Sequence, residues 1–112
     1  MAESRYNEQN KEVIDELLLA IPVVTAGKAF GYPAYKVNGK VFCFVGGNGV
    51  SVKLPEQRVS QLIDSQADFH PFYPAEGILW KGWVSILLDQ PDDYRQHIDI
   101  FEESVGYVGS GA

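Results

Sequence analysis

Four features of the sequence carry residue types that chemistry uses: the histidines His70 and His97, the single Cys43, the run Gly46-Gly47-Asn48-Gly49, and an interleaving of aromatic and basic residues between Tyr35 and Lys53. Neither histidine has a Cys, Asp or Glu at the spacing of a zinc-ligand pattern, so no metal site is expected. Cys43 sits in an apolar strand pattern, where burial suppresses the thiolate that a nucleophile needs. No Gly-x-Ser-x-Gly elbow is present to activate a serine. A phosphate cradle needs a helix amino terminus after its glycines, but a strand pattern follows Gly49, so the run reads as a hairpin turn. These residues predict no catalytic residue, no cofactor and no enzyme activity.

The aromatic and basic set reads as a surface. Asn38-Gly39 is a two-residue type I′ hairpin signal, because both central positions need positive φ. With regular pairing the turn sets Val37 opposite Lys40, Tyr35 opposite Phe42, and Pro33 opposite Phe44. Period-two alternation then gives Val41, Cys43, Val45, Val50, Val52 and Leu54 one aliphatic face, the expected core. The other face is expected to carry Tyr35, Val37, Lys40, Phe42, Phe44, Ser51 and Lys53, and all of these but Ser51 make a candidate interaction surface. It suits a homodimer or an unidentified protein partner, since buried aromatics need no charge match. It also has the composition of a stacking platform for single-stranded nucleic acid. The plainer alternative is that another segment of the same chain covers it. A candidate small-ligand pocket is a further reading, walled by Phe30, Tyr32 and Pro33 at a chain kink and by Trp80 and Trp83.

The elements that must position these residues follow from periodicity. Residues 4–20 carry an apolar stripe of Tyr6, Val13 and Leu17 with Ile14 and Leu18 beside it, a helix that Ile21-Pro22 ends. Residues 23–29 read as a bridge into a three-stranded meander over 28–54. Leu54-Pro55-Glu56 starts a second helix that stops near Ser65. Residues 67–75, rich in proline and aromatics, read as extended or irregular. A strand pattern over 77–88 follows, with Val84 and Ile86 on its core side. Asp89 to Asp93 starts a last helix that Gly106 should stop, and Arg95 and Asp99 are spaced for an ion pair.

Composition narrows the function classes. A chain of 112 residues is one domain, with its core expected over about residues 4–108. The net charge of −6 disfavours unspecific attraction to phosphate backbones and anionic membranes. Lys28, Lys36, Lys40 and Lys53 nonetheless lie in a segment, Leu17 to Pro55, that holds no acidic residue. No apolar run reaches the length of a membrane span, and the amino-terminal residues lack a signal-peptide core, so a cytoplasmic protein is expected.

Phe30-Gly31, Tyr35, Gly39-Lys40 with Phe42, Val52-Lys53, and Pro71-Phe72 before Trp80 and Trp83 resemble the TfoX N-terminal domain family and the related MmcQ/YjbR-like proteins. The resemblance covers roughly residues 22–108. It implies a two-layer α+β fold, an antiparallel sheet with helices on one face, in the order α-β-meander-α-β-α. It further implies a regulatory or interaction domain; the YjbR-like relatives are often labelled DNA-binding. The matching positions are structural ones and transfer no catalytic role. The expectation is a non-enzymatic domain that works through protein contacts, with nucleic-acid binding through the basic, aromatic sheet face as the alternative.

Overall fold

The computed structural model describes residues 6–47 and 49–111. Ser4, the expected start of the first helix, and Asn48 lie outside the described residues. Helix α1 (Glu8–Leu18) starts where Asn7 accepts hydrogen bonds from the backbone N–H of Gln9 and Asn10 at 2.8 and 3.1 Å. That cap satisfies two of the donors a helix start leaves open. Strands β1 (Val24–Ala29), β2 (Tyr32–Val37), β3 (Lys40–Gly46) and β4 (Gly49–Lys53) then run antiparallel, each paired with the next. Residues expected to bridge into the meander thus form a strand of their own. The turn that makes β1 possible is Phe30-Gly31, with φ of 58° and 81°. A phenylalanine at positive φ is uncommon, so this turn has no ordinary sequence signal. Asn38-Gly39, at 52° and 76°, turns as expected.

Helix α2 (Glu56–Ser65) leads to β5 (Phe69–Pro71), a short strand inside the segment expected to be extended or irregular. The strand expected over 77–88 shrinks to β6 (Trp83–Ile86). Before it, residues 72–82 form a loop pinned by hydrogen bonds from Trp80 N–H to the Phe72 carbonyl and from Trp83 N–H to the Trp80 carbonyl, both 3.1 Å. The sheet has six strands in the order β1-β2-β3-β4-β6-β5. Pro91–His97 is a 3-10 segment that runs into α3 (Ile98–Gly109), which continues past Gly106. The changed pitch also rearranges the expected Arg95–Asp99 pair: Arg95 instead meets Glu16 of α1 at 2.6 Å and Asp92 at 3.4 Å.

All three helices contribute to one core. Ile14 and Leu18 of α1, Val59 and Leu62 of α2, and Phe101 and Val108 of α3 pack with Cys43, Val45, Val50, Val52, Val84 and Ile86. The fold is therefore α+β, with helices on one side of an antiparallel sheet. Cys43 is fully enclosed, and burial pushes its thiol well above the ordinary range, which removes it as a nucleophile.

One irregularity decides which residues join that core. Val37 faces Lys40 and Lys36 faces Val41, but Tyr35 faces Cys43 and Ala34 faces Phe44. Strand β3 has one residue more than β2 across this stretch, a β-bulge at Phe42 and Cys43. A bulge reverses the parity of everything on one side of it. Phe42 and Cys43 consequently both enter the helix-side core, together with Tyr35 and Val37, whereas Val41, expected in that core, turns to the other face opposite Lys36. The bulged Phe42 carbonyl lies 3.4 Å from the Ser104 hydroxyl of α3, which donates to the Lys53 carbonyl at 2.6 Å.

Two buried phenols bind this core together. Tyr94 donates to the Ile86 carbonyl at 2.8 Å, and burial pushes its pKa up to about 12. Tyr35 donates to Asp15 of α1 at 2.5 Å, and burial followed by that bond pushes its pKa up as well. Below about pH 10 both phenols are protonated folded or unfolded, and their contribution is complete. Above that, the unfolded chain releases protons that the folded chain retains. Stability should therefore fall as pH rises from about 10 to 12, read as a falling urea midpoint. Tyr94→Phe should flatten part of that fall; an unchanged profile would contradict the buried placement.

Candidate functional site

Among the described residues no helix packs on the opposite sheet face, which holds a second, purely aromatic cluster. Its hub is Phe44 of β3, only 2% exposed yet apart from the helix-side core. The Phe44 ring lies 5.4 Å from Phe30 and Phe72 and 5.3 Å from Trp83, and it stacks on Tyr32 at 6.0 Å and 15°. Trp80 closes the ring of contacts, 5.4 Å from Phe30, 5.6 Å from Phe72 and 6.3 Å from Trp83. These are the edge-to-face and offset separations that aromatic quadrupoles favour. Part of the sheet face is thus covered by the chain's own 72–82 loop.

The loop does not fill the face. A cleft of about 610 Å³ remains between it and the β3–β4 end of the sheet, walled by Phe30, Tyr32, Phe44, Phe72, Tyr73 and Trp80. Its floor is polar. Ser51 of β4 pairs with Ser85 of β6, and Ser85 pairs with His70 of β5, so the three form one row across neighbouring strands. The Ser51 and Ser85 hydroxyls lie 3.4 Å apart. All three residues line the cleft. Gly46, at its edge, leaves room for Tyr32: a Cβ there would lie 2.9 Å from the ring. A smaller hollow of about 320 Å³ adjoins, between α2 and the loop, where Trp80 and Trp83 meet Val59 and Leu79.

The structure divides the residues expected to act together. Of the pocket set, Phe30, Tyr32 and Trp80 line the cleft; Trp83 supports it through Phe44 and Trp80, and Pro33 does not line it. Of the interaction surface, only Phe44 and Lys53 keep the expected face. Tyr35, Val37 and Phe42, expected outward, are in the helix-side core because of the bulge. Lys40 is exposed but shares the side of its partner Val37. The lysines are split accordingly. Lys36, which lies over Gly27, and Lys53, opposite Trp83, take the aromatic side, whereas alternation turns Lys28 and Lys40 to the other. The expected basic, aromatic set is thus divided between the two faces.

The sequence places Ser51 and Ser85 away from the core but does not bring them together with His70. Ser51 in Val-Ser-Val and Ser85 in Val-Ser-Ile are each a polar residue between two aliphatic ones, hence on the opposite face. His70 draws notice in the sequence only as a metal-ligand type. Among the described residues, no group of three or more His, Cys, Asp or Glu is placed to hold a metal ion, and no helix is long and apolar enough to cross a membrane.

No curated protein and no solved structure matches the chain. Among protein families, YjbR matches residues 19–100, a span from the end of α1 into α3 that includes every strand and every cleft residue. The chain belongs to the YjbR family.

Proposed function

We propose that the chain is a non-enzymatic regulatory domain whose working site is the aromatic cleft, where it binds a guest with an aromatic or apolar face. The observation that carries this reading is the cleft itself. Its volume falls in the range of ligand sites, its walls are aromatic, and its polar groups converge on the floor. What faces the guest supports binding. Among the described residues, no carboxylate, lysine or cysteine lines the cleft to orient His70 or to serve as a nucleophile.

Indole is a suitable first probe, and backbone amide shifts on titration read the site. Shifts confined to Tyr32, Phe44, Ser51, Ser85 and Trp80 are expected. Gly46→Ala, which pushes the Tyr32 ring off its seat, should weaken indole binding at least severalfold while the helix-side core stays unmoved. Absence of any shift in the cleft of the folded protein would overturn the reading.

A second reading is favoured by a separate observation. Phe30, Tyr73 and Leu87, which line the cleft, and Ile78 and Leu79, on the loop that walls it, are large apolar residues exposed to solvent. Such a patch suits a protein surface, and a second copy of this chain is the simplest partner. Light scattering tests it directly. A mass twice that of one chain, halved by Ile78→Glu with Leu79→Glu, would support a homodimer through this rim; a monomer at all concentrations would exclude it. Nucleic acid has less support, since the lysines are divided between the faces and none lines the cleft.

A further inference from the structure

We infer that the guest of this cleft is an uncharged, planar heteroaromatic molecule of two or three fused rings, bound with its polar edge on the Ser51–Ser85–His70 row; this rests on the reading of the cleft as a binding site. Three observations converge on that chemistry. The first is shape. Aromatic walls on a cavity of about 610 Å³ favour a flat, polarizable guest larger than a single ring.

The second is the floor. Each serine hydroxyl offers one donor and two acceptor positions, and their mutual contact at 3.4 Å uses at most one donor between them. Acceptor capacity and a donor therefore remain for a guest, and the His70 imidazole adds at least one donor. Neighbouring strands are about 4.8 Å apart, so these groups form a ladder with about that spacing. Ring carbonyls and ring N–H groups along the edge of a fused heterocycle can meet such a ladder. A simple hydrocarbon would instead leave the Ser51 hydroxyl, on a residue 3% exposed, facing an apolar surface.

The third is charge. Among the described residues, none that lines the cleft is Asp, Glu, Lys or Arg. A cationic guest would lose water there without a counter-charge, and an anionic one would meet only the His70 imidazole and no Lys or Arg, which makes ionisation costly. The same absence argues against a phosphorylated or carboxylated ligand seated in the floor.

Three probes of matched size separate these elements: quinazoline-2,4-dione, uncharged with a polar edge; naphthalene, of the same shape without one; and 2-naphthoate, of that shape with a negative charge. Binding is followed by amide shifts and tryptophan fluorescence at concentrations within naphthalene's solubility. The dione should bind at least about tenfold more tightly than naphthalene, the difference expected of one or two net hydrogen bonds. It should shift Ser51, Ser85 and His70, and 2-naphthoate should bind most weakly. Ser85→Ala and His70→Ala, both at less enclosed positions than Ser51, should each bring the dione toward naphthalene, with thermal melts confirming an intact fold. Naphthalene binding as tightly as the dione, 2-naphthoate binding best, or a dione affinity that ignores both substitutions would each overturn the ligand class while leaving the cleft a binding site. No probe entering the cleft would overturn the cleft reading itself.

Discussion

Phe42→Glu is expected to unfold the chain. Phe42 is fully enclosed between the sheet and the helices, where the bulge turns it inward beside Cys43. A carboxylate there would have no cationic partner among the apolar core residues. An unpaired buried charge costs several kcal/mol after relaxation, and the lost aromatic burial adds about 3–5 kcal/mol. A domain of this size has a total stability of about 5–15 kcal/mol, so little folded population should remain. Circular dichroism and amide dispersion would show the loss, and Phe42→Leu should remain folded as the control. The same substitution discriminates between two registers. With regular pairing Phe42 would face outward, and glutamate there would be tolerated or would split a dimer. A well-folded Phe42→Glu protein would therefore refute the bulge.

Phe44→Ala should produce the second largest effect, and of a different kind. Its ring touches Phe30, Tyr32, Phe72 and Trp83, so truncation empties the centre of the aromatic cluster. A loss of about 3–5 kcal/mol is expected from burial and cavity formation, with the ring pairs included in that figure. The helix-side core is not touched directly, so the surviving protein should keep its helices. The 72–82 loop loses its anchor, and tryptophan fluorescence should shift to the red as Trp80 and Trp83 gain water. Urea unfolding and emission spectra read the two effects separately. A loss below about 1 kcal/mol with unchanged emission would mean that this cluster is not packed. Lys40→Ala, at an exposed position expected to share a surface with Phe44, should by contrast change stability by no more than about 0.5 kcal/mol.

Both predictions turn on facing, and facing is where sequence and structure part. The Asn38-Gly39 turn, the start of α2 after Pro55, and the inward set Cys43, Val45, Val50 and Val52 were all legible, because each is set by local backbone preference or by alternation within one strand. The Phe30-Gly31 turn was hidden, since nothing in a phenylalanine announces positive φ, and with it went the reading of β1 as a strand. The bulge was hidden for another reason. The run Val41-Phe42-Cys43-Phe44-Val45 is apolar at every position, so either parity satisfies it. Such a run signals that both faces are covered, without saying which residue is the extra one.

The candidate site shows the same division. That Phe30, Tyr32, Trp80 and Trp83 would gather near one irregular segment could be anticipated from their types and their neighbours. That Phe44 would join them while Phe42 and Tyr35 would not could not be, because one added residue in β3 exchanges the faces. By itself the sequence determined the α+β class, the hairpin at Asn38-Gly39 and the aliphatic core set from Cys43 to Leu54, though not Val41, all consequences of short-range periodicity. Only the tertiary structure decided the strand order that brings Ser51, Ser85 and His70 into one row, and the loop that walls a cleft above them. Those depend on pairing between segments far apart in the chain, and local preference carries no information about which distant strand becomes a neighbour.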